Sequence, residues 1–135
     1  MSDIGLFASW NIRGLGSFEK KSAVKRLLSL TKPRVLFLQE TKMKEIDDKA
    51  IRSLVGHRAK FNSIYSAANG SSGGLITLWD PNFLQIENSI SEPNFIAIYG
   101  KLTESNIMCL LINVYAPNDH FKRKDNTPEY LFYNL

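Results

Sequence analysis

The order of the apolar segments limits the possible folds of this chain more than any other feature of its sequence. An apolar run at 4–10 and a second one at 35–38 are each followed by a segment with helical spacing, at 18–31 and 47–55. Further strand candidates, separated by turns, lie at 61–67, 75–79, 84–90, 95–102 and 107–115, and short strands joined in this way predict an antiparallel meander. Strand–helix pairs followed by a run of short strands predict an α/β sandwich with mixed strand directions, and not a Rossmann or TIM-barrel pattern.

The ends of both helices are marked by residues that favour helix starts and stops. Ser17 and Asp47 can accept hydrogen bonds from the free N–H groups of a first helical turn. Pro33 disfavours continuation of the first helix, and Gly56 is a typical residue at the end of the second. We therefore expect two short helices. The run at 35–38 is apolar without alternation, which predicts a strand buried on both faces.

The length and composition exclude several classes of protein. The 135 residues suit one domain, and 44% hydrophobic with 22% charged residues is typical of a globular chain. No apolar run approaches the roughly 18–20 residues of a membrane span, and Asp3 stands where a signal peptide carries positive charge. The single cysteine, Cys109, excludes an internal disulfide. These features predict an intracellular protein with no membrane partner and no cysteine-based metal site.

Positive charge is concentrated in the first half of the chain. Residues 13–60 contain thirteen Lys or Arg against five Asp or Glu, whereas residues 61–121 have an excess of four acidic residues. A basic region of this kind favours an anionic partner, nucleic acid above all. The alternative, which fits equally well, is that these side chains form the solvated faces of the two helices.

Three polar residues lie where apolar strand candidates end. Asn11, Glu40 and Tyr115 each come directly after such a run or at its end. A carboxylate such as Glu40 can bind Mg²⁺, which takes one or two protein carboxylates and also binds phosphate oxygens. Amide and phenol groups can donate hydrogen bonds to a phosphate. On spacing alone, however, three loop residues without a shared role are the simpler interpretation.

Four longer strings strengthen the case for a shared site. In chain order they are SWNIRGLG at 9–16, LQETK at 38–42, SGGLITLW at 72–79 and NVYAPN at 113–118. Together they resemble the endonuclease/exonuclease/phosphatase family, which includes the AP endonucleases and DNase I, and most closely the endonuclease domain of plant LINE-type retrotransposons. Gly73 and Gly74 in the third string are expected to serve a tight turn or close packing, and not phosphate binding.

The resemblance implies a four-layer α/β sandwich of the DNase I type, in which two mixed, mainly antiparallel sheets pack face to face between helices. It covers only the first half of that domain, so we expect 1–119 to be an N-terminal half and 120–135 a divergent or truncated tail. The family strings Gly-Asp-Phe-Asn and Ser-Asp-His are not found in this sequence. An incomplete sandwich would leave an apolar sheet face in water, which predicts self-association through that face.

The resemblance also implies a role for each candidate site residue. Glu40 is similar to the glutamate that binds the metal ion, Mg²⁺ or alternatively Mn²⁺, and Asn11 to the catalytic asparagine that orders the metal and phosphate site. Tyr115 is similar to the tyrosine that contacts the scissile phosphate, and Asn118 to a nearby asparagine that contacts phosphate. Arg13 stands where the AP endonucleases carry an acidic residue, which favours the retrotransposon branch and a contact with substrate.

The function implied by the resemblance is that of a fragment of a Mg²⁺-dependent DNA endonuclease, a phosphodiesterase that nicks DNA. Its activity alone is expected to be low, because the family's water-activating Asp–Asn and Asp–His pairs lie in the two strings that this sequence does not contain. Two alternatives stay open: a non-catalytic remnant that binds nucleic acid, and a phosphatase of the same fold that acts on inositol phosphates or lipids. The expected location is intracellular, and nuclear in particular.

Overall fold

Strands and helices alternate at the start of the chain, and strands alone follow. The structure, a computed structural model, describes residues 6–56 and 60–115 and the backbone of 130–134. In chain order the elements are β1 (Leu6–Asn11), α1 (Phe18–Thr31), β2 (Val35–Gln39), α2 (Asp48–Val55), β3 (Asn62–Ser66), β4 (Leu75–Trp79), β5 (Leu84–Ser91), β6 (Phe95–Leu102), β7 (Met108–Val114) and β8 (Tyr130–Asn134). This order matches the one that the apolar pattern predicts through β7, whereas β8 lies in the predicted tail, where no strand was expected.

Both helices begin and end where their capping residues predict. Ser17 Oγ accepts a hydrogen bond from Lys20 N at 3.2 Å, and Asp47 Oδ1 accepts one from Ala50 N at 2.8 Å. Gly56 follows α2 with a φ of 83°, a backbone conformation that favours glycine. The prediction of two short helices is confirmed. Among the described residues no helix combines the length and the apolar character needed to cross a membrane; α1 has 14 residues.

The strands form two sheets, and most of their pairings are antiparallel. The five-stranded sheet has the order β3-β4-β2-β1-β8, and the three-stranded sheet has the order β5-β6-β7. Among the described strands only β1 and β2 pair in parallel, and α1 connects them. Mixed, mainly antiparallel sheets are therefore confirmed. Within the predicted tail 120–135, β8 pairs antiparallel with β1 and so joins the five-stranded sheet.

The strands after α2 divide between the two sheets, although the sequence predicts one antiparallel meander. β3 and β4 form a hairpin in the five-stranded sheet, whereas β5, β6 and β7 form the three-stranded sheet by themselves. The division follows from burial, because every residue of β4 is buried whereas β5 and β7 are largely exposed on one face. A strand that is apolar on both faces must be covered by another layer on each side. β4 meets this requirement because its sheet lies between the helices and the three-stranded sheet.

The layers of the fold follow from the apolar faces of the strands. Val24 of α1 and Leu54 of α2 pack with Leu36 on one face of the five-stranded sheet. Val35, on the opposite face, packs with Ile98 of the three-stranded sheet. Full burial of such side chains stabilises the fold by about 1.5–3 kcal/mol each. The layers of the described residues are helices, five-stranded sheet and three-stranded sheet, which confirms the predicted incomplete sandwich of two sheets flanked by helices.

One apolar surface of the described part of the chain is left open to solvent. Leu110, Ile112 and Val114 on the outer face of β7 are 59%, 50% and 56% exposed. Cys109 and Leu111, which alternate with them along β7, pack inward against the other sheet. We call Leu110, Ile112 and Val114 the outer β7 face. The structure therefore locates the uncovered apolar face, and self-association through it stays a prediction.

Candidate functional site

Polar side chains collect between the two sheets at one end of the sandwich. Every second residue of β1, β2 and β7 points between the sheets, and apolar residues give way to polar ones toward this end. Read toward it, the inward residues are Phe7, Ser9 and Asn11 on β1, Val35, Phe37 and Gln39 on β2, and Cys109, Leu111 and Asn113 on β7. We call the end formed by Ser9, Asn11, Gln39 and Asn113 the polar end of the sandwich.

The parallel pairing of β1 and β2 brings Asn11 and Glu40 to neighbouring positions at the polar end. Asn11 pairs with Gln39, and Glu40 is the next residue along the chain. The pairing continues beyond the strands, because Ile12 N–H donates to the Gln39 carbonyl at 3.0 Å and Gly14 N–H donates to the Glu40 carbonyl at 2.7 Å. The structure thus places side by side two residues that the sequence could place only at separate strand ends.

Two glycines before β4 hold the loop that follows Glu40. Thr41 N–H donates to the Gly74 carbonyl at 3.1 Å, and Lys42 N–H donates to the Gly73 carbonyl at 2.9 Å. Gly73 and Gly74 have φ values of 81° and 94°, and a Cβ at position 74 would overlap the hydroxyl of Thr41. The expected close packing is therefore confirmed for Gly74, and these glycines fix the backbone beside Glu40.

Tyr115 reaches the same end of the sandwich from the other sheet. It directly follows β7, and its N–H donates to the Asn94 carbonyl at 2.8 Å. Its half-buried ring packs with the core between the sheets and lies beside Gly73. Because Gly73 also accepts the hydrogen bond from Lys42, Tyr115 lines the loop that carries Glu40.

The backbone is strained at this end of the sandwich. The φ values are positive at three residues, 53° at Arg13, 52° at Glu40 and 56° at Lys42. Residues other than glycine rarely adopt this left-handed backbone conformation. Each such conformation costs on the order of 1–3 kcal/mol, and it persists only where the surrounding structure enforces it. Of the five described residues other than glycine with positive φ, three lie in these two adjoining loops. Strain of this kind is typical of functional sites.

Asn11 carries the one buried side-chain polar atom of the described residues that has no hydrogen-bond partner, its Oδ1. A buried acceptor without a donor costs about 1–3 kcal/mol, so native proteins rarely keep one without a reason. An amide oxygen is a suitable ligand for a hard cation or for a water bound to one. The unsatisfied oxygen therefore fits a group that binds beside Glu40.

The donors at this end fit a divalent cation that is bound together with a phosphate. Within residues 6–56 and 60–115, no group of three or more His, Cys, Asp and Glu side chains is placed to hold a metal ion. Glu40 supplies a carboxylate, and Asn11 supplies the unsatisfied amide oxygen. Mg²⁺ characteristically uses one or two protein carboxylates and completes its coordination with water and substrate phosphate. These residues fit such an ion better than one caged by protein alone.

Gln39 and Asn113 also lie at the polar end of the sandwich, although neither residue was predicted from the sequence to belong to the site. Gln39 Nε2 donates to Ser9 Oγ at 3.0 Å and to Asn113 Oδ1 at 2.8 Å. Asn113 is only 1% exposed. The signal that could have found them is a polar side chain at an inward position of a strand whose other inward residues are apolar.

The remaining predicted site residues divide into one that the structure places and one that it does not describe. Arg13 is exposed and directly precedes Gly14, which is bonded to Glu40. Asn118 lies outside the described residues. A second basic side chain approaches the same loop, because Lys20 Nζ donates to the Ile12 carbonyl at 2.7 Å. Positive charge therefore adjoins the candidate cation site.

Comparison with known proteins establishes the fold. No protein-family model and no curated protein matches the chain. Among solved structures, the AP endonuclease LMAP from Leishmania major matches 83% of this chain with a TM-score of 0.66 and 21% sequence identity. The chain has the AP endonuclease/DNase I-like fold. An AP endonuclease from Archaeoglobus fulgidus matches 84% of it with a TM-score of 0.53 and 20% identity. The human Nocturnin catalytic domain with bound sulfate matches 81% with a TM-score of 0.58 and 14% identity.

The AP endonuclease/DNase I-like fold is shared over only part of these larger structures. This chain covers 40% of the Leishmania major enzyme, 42% of the Archaeoglobus fulgidus enzyme and 48% of the Nocturnin domain. The chain therefore spans less than half the length of each.

Proposed function

We propose that the polar end is part of the active site of a divalent-cation-dependent phosphodiesterase that nicks DNA. The observation that carries this proposal is the buried, unsatisfied Oδ1 of Asn11 at the position next to Glu40. A carboxylate and an unpaired amide oxygen, held in strained loops, form a site prepared for a ligand. The larger structures that share the fold include AP endonucleases, which supports a nucleic-acid substrate.

Each site residue has a proposed task. Glu40 and Asn11 would hold Mg²⁺, or Mn²⁺ in its place, and a bound ion would polarise the phosphate and neutralise its developing charge. Tyr115, from the other sheet, donates its hydroxyl proton in a hydrogen bond to a phosphate oxygen and so orients the scissile group. Arg13 attracts the DNA backbone, and Asn118 contributes a second phosphate contact, as the family resemblance implies.

The finer relation that we propose is to the endonucleases of LINE-type retrotransposons. The string that contains Asn11 and Arg13 has the Asn-x-Arg-Gly-Leu-Gly form of the plant members of that group. An arginine at position 13 adds positive charge where the AP endonucleases carry an acidic residue. A DNA substrate of this kind would be consistent with a nuclear location.

We further propose that these 135 residues bind the cation and DNA but cleave DNA slowly by themselves. The sequence has two histidines, His57 and His120; His120 follows Asp119, but neither histidine stands in the Ser-Asp-His string that the family uses to activate water. Residues 1–119 are in this proposal an N-terminal half of the catalytic domain. In this proposal, a general base and its partners would be supplied by residues outside these 135.

The first test measures cation binding directly. Mn²⁺ titration followed by electron paramagnetic resonance is expected to show one site in the wild-type chain, weakened at least tenfold by Glu40→Gln. Glu45→Gln, an exposed glutamate five residues further along, is the matched control and should change the affinity by less than twofold. Equal affinity of the wild type and Glu40→Gln would exclude Glu40 as the cation ligand.

A second test measures cleavage. Supercoiled plasmid incubated with the chain and Mg²⁺ is expected to be nicked slowly, and Glu40→Gln should remove any nicking that occurs. Rapid nicking that depends on Glu40 would overturn the proposal of low activity and support the proposed reaction. Rapid nicking that survives Glu40→Gln would overturn the proposed reaction at this site.

A non-catalytic nucleic-acid-binding remnant is the second candidate, and the exposed Lys42 beside the polar end favours it. Lys42 lies in the loop after Glu40, where a phosphate backbone could reach it. Each phosphate contact contributes roughly 0.9 to the slope of log affinity against log salt concentration, so Lys42→Gln should lower the slope by about 1. Lys101→Gln, on β6, is the control. DNA binding that Mn²⁺ does not alter, with no nicking, would favour this candidate.

A further inference from the structure

Asn113 is a buried polar side chain between the two sheets at the polar end of the sandwich. It lies on β7, and its exposed fraction is 1%. Its inward neighbours on the same strand, Cys109, Leu111 and Tyr115, pack in the core between the two sheets. A buried amide in such a position is tolerated only when its hydrogen-bonding groups are satisfied.

The hydrogen bonds of Asn113 all cross from one sheet to the other. The two N–H groups of its Nδ2 are shared among three acceptors, the carbonyls of Leu38 at 3.2 Å and Ile76 at 3.0 Å and Thr77 Oγ1 at 3.2 Å. Its Oδ1 accepts a hydrogen bond from Gln39 Nε2 at 2.8 Å. One side chain of the three-stranded sheet is therefore bonded to two adjacent strands, β2 and β4, of the five-stranded sheet.

These contacts lie next to the candidate site along both strands. Gln39 directly precedes Glu40, and Asn113 is two residues before Tyr115 on the same face of β7. Gln39 also donates to Ser9 Oγ at 3.0 Å, which extends the network to β1, two residues before Asn11. The network thus connects β1, β2 and β7, the three strands at whose ends Asn11, Glu40 and Tyr115 lie.

We infer that Asn113 is a positioning residue that sets the end of β7, and with it Tyr115, against the Glu40 end of β2. The geometric part of this inference depends only on the hydrogen bonds of Asn113. Its consequence for the reaction depends on the proposed function. Apolar packing between sheets has no direction and permits small sliding movements, whereas four hydrogen bonds to fixed groups permit one arrangement. A phosphate held jointly by the two strands requires such an arrangement.

Amide hydrogen exchange, measured by NMR on the 135-residue chain, separates positioning from general stabilisation. The reporters at the polar end are the amides of Thr41, Lys42 and Tyr115, which donate to the carbonyls of Gly74, Gly73 and Asn94. The reporters at the opposite end are the amides of Arg34 and Asp80, which donate to the carbonyls of Leu6 and Arg34. A residue that only stabilises the fold changes exchange at both ends.

The main variant is Asn113→Leu, which keeps the number and branching of the side-chain heavy atoms and removes all of these hydrogen bonds. Exchange at the polar end is expected to accelerate at least tenfold, with less than a threefold change at the opposite end. Ser9→Ala, the control within the same network, should leave both ends within threefold. Equal acceleration at both ends, or none, would overturn the inference. If Asn113→Leu does not fold, Thr77→Val is the second variant, because it removes one hydrogen-bond partner of Asn113. It should accelerate exchange at the polar end in the same way but by a smaller factor. An equal change in exchange at both ends would overturn the inference here too.

A second measurement connects the geometry to the proposed site. With 3-fluorotyrosine incorporated, bound Mn²⁺ should broaden the fluorine signal of Tyr115 in the wild type. In Asn113→Leu the broadening should fall at least twofold, while the Mn²⁺ affinity stays within twofold. Unchanged broadening would contradict the positioning role. Absence of Mn²⁺ binding in the wild type would contradict the proposed function alone, because the exchange experiment tests the positioning of β7 without a cation.

Discussion

The ring of Tyr115 lies against Gly73, so that the end of β7 meets the loop before β4: a Cβ at position 73 would stand 3.6 Å from Tyr115 Cε2. Gly73 also accepts the backbone hydrogen bond of Lys42, two residues after Glu40. Tyr115, after β7 of one sheet, and the loop that follows Glu40, after β2 of the other, therefore both contact Gly73, which has no side chain to separate them. The relative position of the sheets, and not either sheet alone, fixes the geometry of the candidate site.

Gly74→Ala should destabilise the chain more than Gly73→Ala. Both substitutions place a side chain at a positive φ, which costs about 1–2 kcal/mol. A Cβ at position 74 would also overlap Thr41, whereas one at 73 makes an ordinary contact. We expect losses in the free energy of unfolding of roughly 2–5 kcal/mol for Gly74→Ala and about 1–2 kcal/mol for Gly73→Ala, measured by urea denaturation. Equal losses would show that the close approach to Thr41 is unimportant.

Asn11→Leu should stabilise the metal-free chain while it weakens cation binding. The substitution removes a buried oxygen that has no donor, and a buried atom of this kind costs about 1–3 kcal/mol. The free energy of unfolding in EDTA should therefore rise by about 1 kcal/mol, and the stabilisation that Mn²⁺ gives the wild type should be lost. Asn62→Leu, at an exposed position of β3, is the control. A loss of stability in Asn11→Leu would contradict the assignment of Asn11 to a ligand.

Cys109 should react slowly at neutral pH. Burial raises the pKa of its thiol above the ordinary value, so less of the reactive thiolate is present than in a free cysteine. Below the ordinary thiol pKa of about 8.5 both the folded and the unfolded chain keep the proton. Above it the unfolded chain ionises first, so the free energy of unfolding should fall as the pH rises.

Two measurements check the behaviour of Cys109. A thiol reagent at pH 7.5 should modify the folded chain about tenfold more slowly than the chain unfolded in guanidinium. Urea titrations at pH 7.5 and pH 9.5 should show the fall in stability, and Cys109→Ala should remove that part of it. Equal modification rates in the folded and unfolded chain would contradict the prediction.

The outer β7 face should promote self-association of the chain. Three exposed aliphatic side chains on an edge strand can pair with the same face of a second copy in an antiparallel arrangement. Ile112→Lys, at the centre of the outer β7 face, should shift sedimentation at about 100 µM toward the monomer, because a charge at the contact opposes its burial. Lys44→Glu, at an exposed position in the loop before α2, is the control and should leave the sedimentation unchanged. A monomeric wild type at this concentration would exclude the prediction.

The local structure could be predicted well because its causes are local. Ser17 and Asp47 each satisfy a free N–H group in the first turn of a helix, and each hydrogen bond joins residues only three positions apart. The bounds of α1 and β6 agree with the predicted ones to the residue, and β3 and β5 differ by one or two residues. The position of Glu40 directly after a buried strand was also visible from the apolar run before it.

The positions of the site residues relative to one another depend on contacts between distant segments. Gln39 and Asn113 are separated by 74 residues, and the sequence contains no signal that pairs them. The left-handed backbone of Glu40 follows from the packing of its loop between Gly14 and Gly73, and not from its own preference. Such features are settled only when the two sheets pack, because a strand's register and partner depend on burial summed over many residues.

By itself, the sequence determined both helices, the strands β1–β7 to within one or two residues, the mixed α/β character and the three polar strand ends, since capping and apolar periodicity act over a few residues; it did not predict β8. Only the tertiary structure decided which strands share a sheet, that Asn11 lies beside Glu40 with an unsatisfied oxygen, and that Asn113 ties the two sheets together. Those outcomes depend on the packing of one sheet against the other, which no short segment encodes.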